Sequence, residues 1–280
     1  MRRLFICTDL DRTLLPNGEP PESAEARPAF RRFVAHPEIS LAYVSGRHLA
    51  LVEQSIQDYA LPSPDWIVGD VGSSIYEQTR HGWSLLSSWS RHIAVDWQGY
   101  AAADLVPLFE GLSGLTLQPQ DRQNTYKLSY FIPLDADLSS LTLAMQNVLK
   151  NLKISASLIY SVDEQAAIGL MDVLPERATK LHAVEFLMRE NGFGCDGTVF
   201  AGDSGNDLPV LVSSVPSVLV ANAHVDVIHQ ATAEAQRMGT ADRLYLAKGD
   251  FMGMNGNYSA GILEGIAHFH IDLKPEMALI

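Results

Sequence analysis

Cysteine is nearly absent. The chain has two, Cys7 and Cys195, far apart in sequence. Two isolated cysteines make neither a disulfide framework nor a zinc cluster. The expectation is two small apolar side chains in a reducing cytoplasm. Positive charge is also scarce, with 20 Lys+Arg against 33 Asp+Glu and a formal net charge of −13. Such a chain has no electrostatic reason to bind nucleic acid or an anionic membrane. A small anionic substrate stays open, because it responds to its local site. Long apolar runs are missing, and none approaches the ~18 residues of a membrane span. The run after Met1-Arg2-Arg3 is cut by Asp9, too short for a secretory core of roughly 7–15 residues. A soluble cytoplasmic protein is expected. Repeats and low-complexity tracts are absent too. The nine histidines are scattered, and the one close pair, His268 and His270, would diverge on a helix rather than share a metal.

What is present can fill a core. Hydrophobic residues make up 47% of 280 and charged residues 19%, a globular composition with room for one large domain or two. Leu4–Thr8, Ile39–Val44, Trp66–Val68, Thr198–Ala201 and Val218–Val220 are short continuous apolar runs. Runs of that length suit strands buried on both faces of a parallel sheet. Helical spacing separates them, at Ala26, Ala29, Phe30, Phe33 and Val34, then at Leu51, Val52 and Ile56. Strand and helix in alternation predict βαβ units around a parallel sheet. A later helix through Leu181, Val184, Leu187 and Met188 should end near Asn191-Gly192. A final helix carries Ile262, Leu263, Ile266 and Phe269.

The pattern changes in between. Trp97 to Phe109 reads as a helix that Pro107 should bend or end. Thr116–Gln118, Tyr126–Phe131, Ser155–Tyr160 and Ile168–Met171 read as strands. Asp137 is a good N-cap for a helix bearing Leu138, Leu141, Met145, Val148, Leu149 and Leu152 on one face. This αββαββ order predicts an inserted α+β domain over 87–172, splitting an α/β Rossmann-like core into 1–86 and 173–280. Trp83, Trp89 and Trp97 flank the insert and are expected in a hinge or core rather than stacked on a sugar ring.

Ligands of parallel α/β sheets bind beyond the carboxyl ends of the strands. The first strand delivers Asp9 and Asp11 there, with Thr13 beyond, and the second delivers Ser45-Gly46. The strand after the insert delivers Gly202-Asp203-Ser204-Gly205-Asn206-Asp207. In an extended segment, residues two apart project to one side with Cβ atoms roughly 6–7 Å apart. Two carboxylates so placed repel unless a cation or a proton intervenes, and an oxygen-rich site suits Mg²⁺. Asp203 at its strand end can reach the same ion. Ser45 can offer a hydroxyl and a backbone N–H to a phosphate oxygen, and Gly46 leaves room. Lys180, just before a helix, can grip a phosphate. Asp9, Asp11, Asp203, Asp207 and Lys180 sum to −3, and one Mg²⁺ brings that to −1. A carboxylate nucleophile, a second carboxyl that trades protons and an electrophilic clamp are the parts of phosphoryl transfer through an aspartyl-phosphate.

Asp9-Leu10-Asp11-Arg12-Thr13, Ser45-Gly46-Arg47, Lys180 and Gly202–Asp207 resemble, in order and spacing, the four motifs of the haloacid dehalogenase (HAD) superfamily. The resemblance implies Asp9 as nucleophile and Asp11 as the acid that protonates the leaving alcohol, then the base that activates water. It implies Ser45, Gly46 and Lys180 around the phosphoryl group. It implies Mg²⁺ held by Asp9, the Asp11 carbonyl and Asp203, with Asn206 and Asp207 in support, and the insert as a cap. Val71–Tyr76, Tyr126–Tyr130, Met171–Pro175 and Ala260–Phe269 are similar to the sucrose-6-phosphate phosphatase family, which implies Lys127 and Asp172 as sugar contacts. The phosphatases of mannosylfructose phosphate, mannosyl-phosphoglycerate and amino-sugar phosphates share this frame. Gly239 to Asn257 is matched to no family motif and is a candidate to lie near the substrate.

The expected activity is Mg²⁺-dependent hydrolysis of a sugar phosphate, sucrose 6-phosphate first, with the cognate sugar-phosphate synthase as a candidate partner. Two other classes remain. A non-catalytic sugar-phosphate sensor should lack Asp9 or Asp11, and both are present. A phosphomutase would carry its cap after the first motif, whereas the insert here follows Ser45.

Overall fold

The structure is a computed structural model that describes residues 3–163, 166–274 and 277. The chain divides into two compact units. The first comprises Met1–Gly72, Tyr76–Ser84 and Lys180–Ile280; the second comprises Ser73–Ile75 and Leu85–Thr179.

The first unit is built on an eight-stranded sheet. In chain order its strands are β1 (Leu4–Thr8), β2 (Ile39–Val44), β3 (Trp66–Gly69), β4 (Ser74–Thr79) and β5 (Gly82–Leu85). The second unit then supplies β6 to β9, described below, and the sheet resumes with β10 (Thr198–Gly202), β11 (Ser217–Leu219) and β12 (Leu244–Leu246). The spatial order is β12-β11-β10-β1-β2-β3-β4-β5. From β12 to β3 every pair is parallel. All five residues of β1 and of β10 are buried, which is why both read as unbroken apolar runs. Two residues join β4 to β5, a connection short enough only for a hairpin.

Helices cover the sheet. They are α1 (Ala26–Val34) and α2 (Leu49–Asp58), then, after three helices of the second unit, α6 (Lys180–Asn191), α7 (Leu208–Leu211), α8 (Val225–Met238) and α9 (Ser259–Phe269). Helix α1 buries Ala26, Ala29, Phe30, Phe33 and Val34, the expected face, and packs on α9. Burying Phe30 completely contributes roughly 1.5–3 kcal/mol of transfer free energy. Helix α6 stops where Gly192 takes a positive φ of 70°. Helix α9 is buried along most of its length and runs against β11.

The stretch from Gly239 to Asn257 is tied down by α9. The N–H groups of Lys248 and Gly249 donate to the Glu264 carboxylate, at 2.8 and 2.9 Å. The Asn255 and Asn257 amides donate to the Pro21 carbonyl. His268 stacks on Tyr245 with centroids 4.2 Å apart, while His270 ends α9.

The second unit has α3 (Ser87–Ala94), α4 (Ala102–Phe109), β6 (Thr116–Leu117), β7 (Leu128–Ile132), α5 (Leu138–Asn151), β8 (Ala156–Asp163) and β9 (Ile168–Pro175). Its four strands form an antiparallel sheet in the order β6-β7-β9-β8. Leu128, Tyr130, Ile132, Met171 and Val173 face the core shared with Leu105, Phe109, Leu141, Met145 and Leu149 of the helices. Asp137 caps α5 as expected, accepting from the Ser140 N–H at 3.1 Å. The helix predicted over 97–109 is corrected. Two segments flank a break at Gln98 and Gly99, whose positive φ values of 52° and 90° reverse the chain. Pro107 does not itself end α4, which runs two residues on to Phe109. Pro107 is the sixth of eight residues, and its missing N–H removes one intrahelical bond in the last turn. Trp89 and Trp97 are fully buried, so neither offers a face to a sugar.

Candidate active site

Two loops at the carboxyl ends of neighbouring parallel strands and the start of α6 build the site. Asp9 follows β1, Asp203 and Asp207 follow β10, and Lys180 opens α6. Asp9, Asp203, Asp207 and Lys180 are all at least 96% buried. Lys180 Nζ donates to Asp9 Oδ1 at 2.9 Å, to Asp207 Oδ1 at 2.7 Å and to Asn206 Oδ1 at 3.0 Å. Carboxylate oxygens of Asp9, Asp203 and Asp207 lie within 4.8 Å of one another.

Each acid has a different job in this network. Asp207 Oδ2 accepts the N–H groups of Asp203 and Ser204, both at 3.1 Å, while its Oδ1 holds Lys180. It therefore shapes the loop and anchors the lysine. A Cβ on Gly202 would meet Asp207 Cγ at 2.6 Å, so the loop needs glycine at that point. Asp203 Oδ1 accepts from Thr13 Oγ1 at 3.0 Å, and Arg12 Nε stands 3.7 Å from Oδ2.

The electrostatics follow from burial. Desolvation pushes the Asp9 carboxyl up to about 8; Lys180 opposes this and Asp207 adds to it. Desolvation, with Asp207 beside it, pushes Asp203 up to about 6. Burial alone would lower Lys180, yet Asp207 and Asp9 hold it well above the ordinary lysine range. Fully ionised, the three acids and one lysine would carry −2, and the raised Asp9 and Asp203 carboxyls reflect the cost of that buried charge. Hard carboxylate oxygens at this spacing fit a divalent cation such as Mg²⁺.

Asp11 stands apart from that cluster. Its side chain is 43% exposed and turned to Arg47, whose Nε and Nη2 donate to Oδ2 and Oδ1 at 2.8 and 2.6 Å. Asn17 Nδ2 donates to the same Oδ1 at 2.7 Å. Partial burial pushes the Asp11 carboxyl up, and the Arg47 contacts more than offset it, leaving it below the usual carboxylate range.

Ser45 is buried after β2. Its N–H is donated to the Val68 carbonyl at 2.8 Å, because the β2–β3 pairing runs one residue past the strand. The expectation of a backbone donor for phosphate is corrected there. The Ser45 hydroxyl accepts from the Arg47 N–H at 3.2 Å, which leaves its own hydrogen to donate.

Lys127 and Asp172 belong to the second unit. Asp172 on β9 lies opposite Ser129 on β7, and the Ser129 hydroxyl donates to its carboxylate. Lys127 is 9% exposed, with Nζ 3.4 Å from the Arg122 carbonyl. Sequence reasoning had no role for Arg47, Asn17, Ser55 or Ser129. Ser129 carried a signal in its alternation with Lys127, and Arg47 in its place within Ser45-Gly46-Arg47.

A family profile for sucrose-6F-phosphate phosphohydrolase matches residues 2–270. The chain belongs to that family. The fold is that of a solved sucrose-phosphatase. The sucrose-phosphatase of Synechocystis sp., solved with sucrose and phosphate, is 26% identical with a TM-score of 0.71, over 96% of this chain and 98% of that one. A protein of Nitrosococcus oceani named "Putative HAD-like hydrolase" is 49% identical over 276 residues, 99% of this chain and 74% of that protein. The mannosylfructose-phosphate phosphatase of Agrobacterium fabrum is 24% identical over 269 residues, 96% of this chain and 97% of that one. Among the described residues, no helix is long and apolar enough to cross a membrane.

Proposed function

We propose that the chain is a Mg²⁺-dependent phosphatase that hydrolyses sucrose 6-phosphate to sucrose and phosphate. The observation that carries this reading is the buried Lys180 bridge between Asp9 and Asp207, with Asp203 beside it. A nucleophilic carboxylate beside a fixed cation is what an aspartyl-phosphate route requires.

In this reading an Asp9 carboxylate oxygen attacks phosphorus. The Asp9–phosphorus bond forms as the phosphorus–sugar oxygen bond breaks. Protonated Asp11 gives its proton to that oxygen and releases the sugar alcohol. Water then attacks the aspartyl-phosphate, Asp11 takes the water's proton, and phosphate leaves with both side chains restored. Lys180 and the Ser45 hydroxyl neutralise and orient the phosphoryl oxygens, and Gly46 leaves them space. Asp9 and Asp203 would hold Mg²⁺ with the Asp11 carbonyl; Asp207 and Asn206 support it by fixing Lys180. Bound there, Mg²⁺ supplies Lewis-acid stabilisation of the transferring phosphoryl group. The second unit, with Lys127 and Asp172, reads the sugar.

A second substrate reading is mannosylfructose phosphate, favoured by the nearly full-length similarity to the Agrobacterium phosphatase. Mannosyl-phosphoglycerate and amino-sugar phosphates are further members of the panel. A phosphate-release screen over these esters separates the readings. Sucrose 6-phosphate is expected to give the highest kcat/KM. Comparable rates on every ester, or a clear preference for another, would remove the sucrose assignment.

A further inference from the structure

We infer that Asn222 is a positioning residue: together with Asn17 it clamps the two peptides that flank Arg12 and so sets the direction of the Asp11 carbonyl. The inference rests on the Mg²⁺-dependent phosphatase reading above, in which that carbonyl is a cation ligand. Asn222 stands three residues past β11, the strand beside β10, and is 7% exposed. Its Nδ2 donates to the Arg12 carbonyl at 2.6 Å, and its Oδ1 accepts the Tyr258 N–H at 2.9 Å. One partner is an acceptor and the other a donor, so the amide has a single orientation. On the other side of Arg12, its N–H is donated to Asn17 Oδ1 at 2.8 Å, and Asn17 Nδ2 donates to Asp11 Oδ1 at 2.7 Å.

Both backbones joined by Asn222 are strained. Arg12 has a positive φ of 58°. Tyr258, with φ 49° and ψ −129°, lies where a turn ordinarily takes glycine. Other residues keep such conformations only where their surroundings over-determine them. Tyr258 is fully buried and directly follows the Gly239–Asn257 stretch, which thereby reaches the loop after β1. Holding the N–H and the carbonyl of one residue fixes both of its dihedrals, so the two asparagines hold Arg12 left-handed. The Asp11–Arg12 peptide is trans, and its carbonyl points opposite to its N–H. Asn17 holds that N–H, and among the described residues nothing donates to the Asp11 carbonyl. A carbonyl oxygen with its lone pairs free, two residues from Asp9, suits a hard cation.

Metal affinity tests this without reference to turnover. Mn²⁺ accepts the same oxygen ligands as Mg²⁺, and its free concentration is read by electron paramagnetic resonance. The parent chain, Asn222→Ala, Asn17→Ala, the double variant and Tyr258→Phe are titrated with Mn²⁺, and their melting temperatures are recorded. Asn222→Ala should weaken Mn²⁺ binding by about 10-fold, the lower end of what the outer partners of a metal site contribute. Asn17→Ala changes an exposed side chain, disturbs the fold least and should weaken binding by a similar factor. The double variant should lose less than the product of the two, because both act on one residue's backbone. Tyr258→Phe removes only the hydroxyl bond to the Pro20 carbonyl and keeps the N–H on Asn222. It should lower the melting temperature and leave the Mn²⁺ affinity within about twofold of the parent's. Unchanged affinity in either asparagine variant, fully multiplicative losses in the double variant, or an equal loss in Tyr258→Phe would overturn the inference while leaving the phosphatase reading intact. A parent chain that binds no Mn²⁺ would overturn the metal reading and the inference with it.

Discussion

Asp9 and Asp203 are held in the folded chain at pKa values above that of a free carboxyl, about 8 and about 6 against 3.8. Burial is the main cause, and the neighbouring acids add to it. A raised pKa means the folded state prefers these groups protonated. Their contribution to stability is complete below about pH 4 and is lost as pH rises through 6 and then 8. A divalent cation competes with protons for the same oxygens and restores what deprotonation removes. In EDTA the melting temperature should therefore fall between pH 5 and pH 8, and the gain on adding Mg²⁺ should be larger at pH 8 than at pH 5. Thermal melts in both conditions measure this, and a Mg²⁺ gain independent of pH would contradict it. Asp9, Asp203, Asp207 and Lys180 were legible as site residues because each stands at a strand end or helix start marked by the chain itself. Arg47 was not. Its partners are Asp11, 36 residues earlier, and Ser55 in the second turn of α2.

At the scale of elements, the strands that position the site were the easiest to read. Strands β1, β2, β3, β10 and β11 are buried in apolar runs that admit few alternatives. Helix α8 escaped because it buries only Ala231 and Ala235, too small an apolar face to mark a period. Strand β12 is three residues long, and the β4–β5 hairpin turns mostly exposed side chains outward. Helix α3 buries only Trp89 and Ile93, and its relation to α4 rests on the left-handed Gln98. Helix α1 shows the opposite case, a clear face that packs as read. Phe30 lies at its centre with no exposure. Phe30→Ala should destabilise the first unit by about 3–5 kcal/mol, through lost transfer energy and the cavity left behind. Urea denaturation measures it, and a loss below about 1 kcal/mol would show that the α1–α9 contact is not tightly packed.

For the whole molecule, the net charge of −13 gains a local meaning. One of the four acids expected at the site, Asp11, is paired with Arg47; Asp9 and Asp207 share Lys180, and Asp203 stands beside Arg12. Fully ionised, the buried cluster would carry −2, the charge one divalent cation would offset. The chain is a member of the sucrose-6F-phosphate phosphohydrolase family, and its central chemical claim is that Asp9 attacks phosphorus. The direct measurement is phosphate release from sucrose 6-phosphate, with Mg²⁺, by the parent chain and by Asp9→Asn. The parent should turn over, and Asp9→Asn, folded by circular dichroism, should release no phosphate above background. Asp9→Asn turning over at the parent's rate would contradict the account.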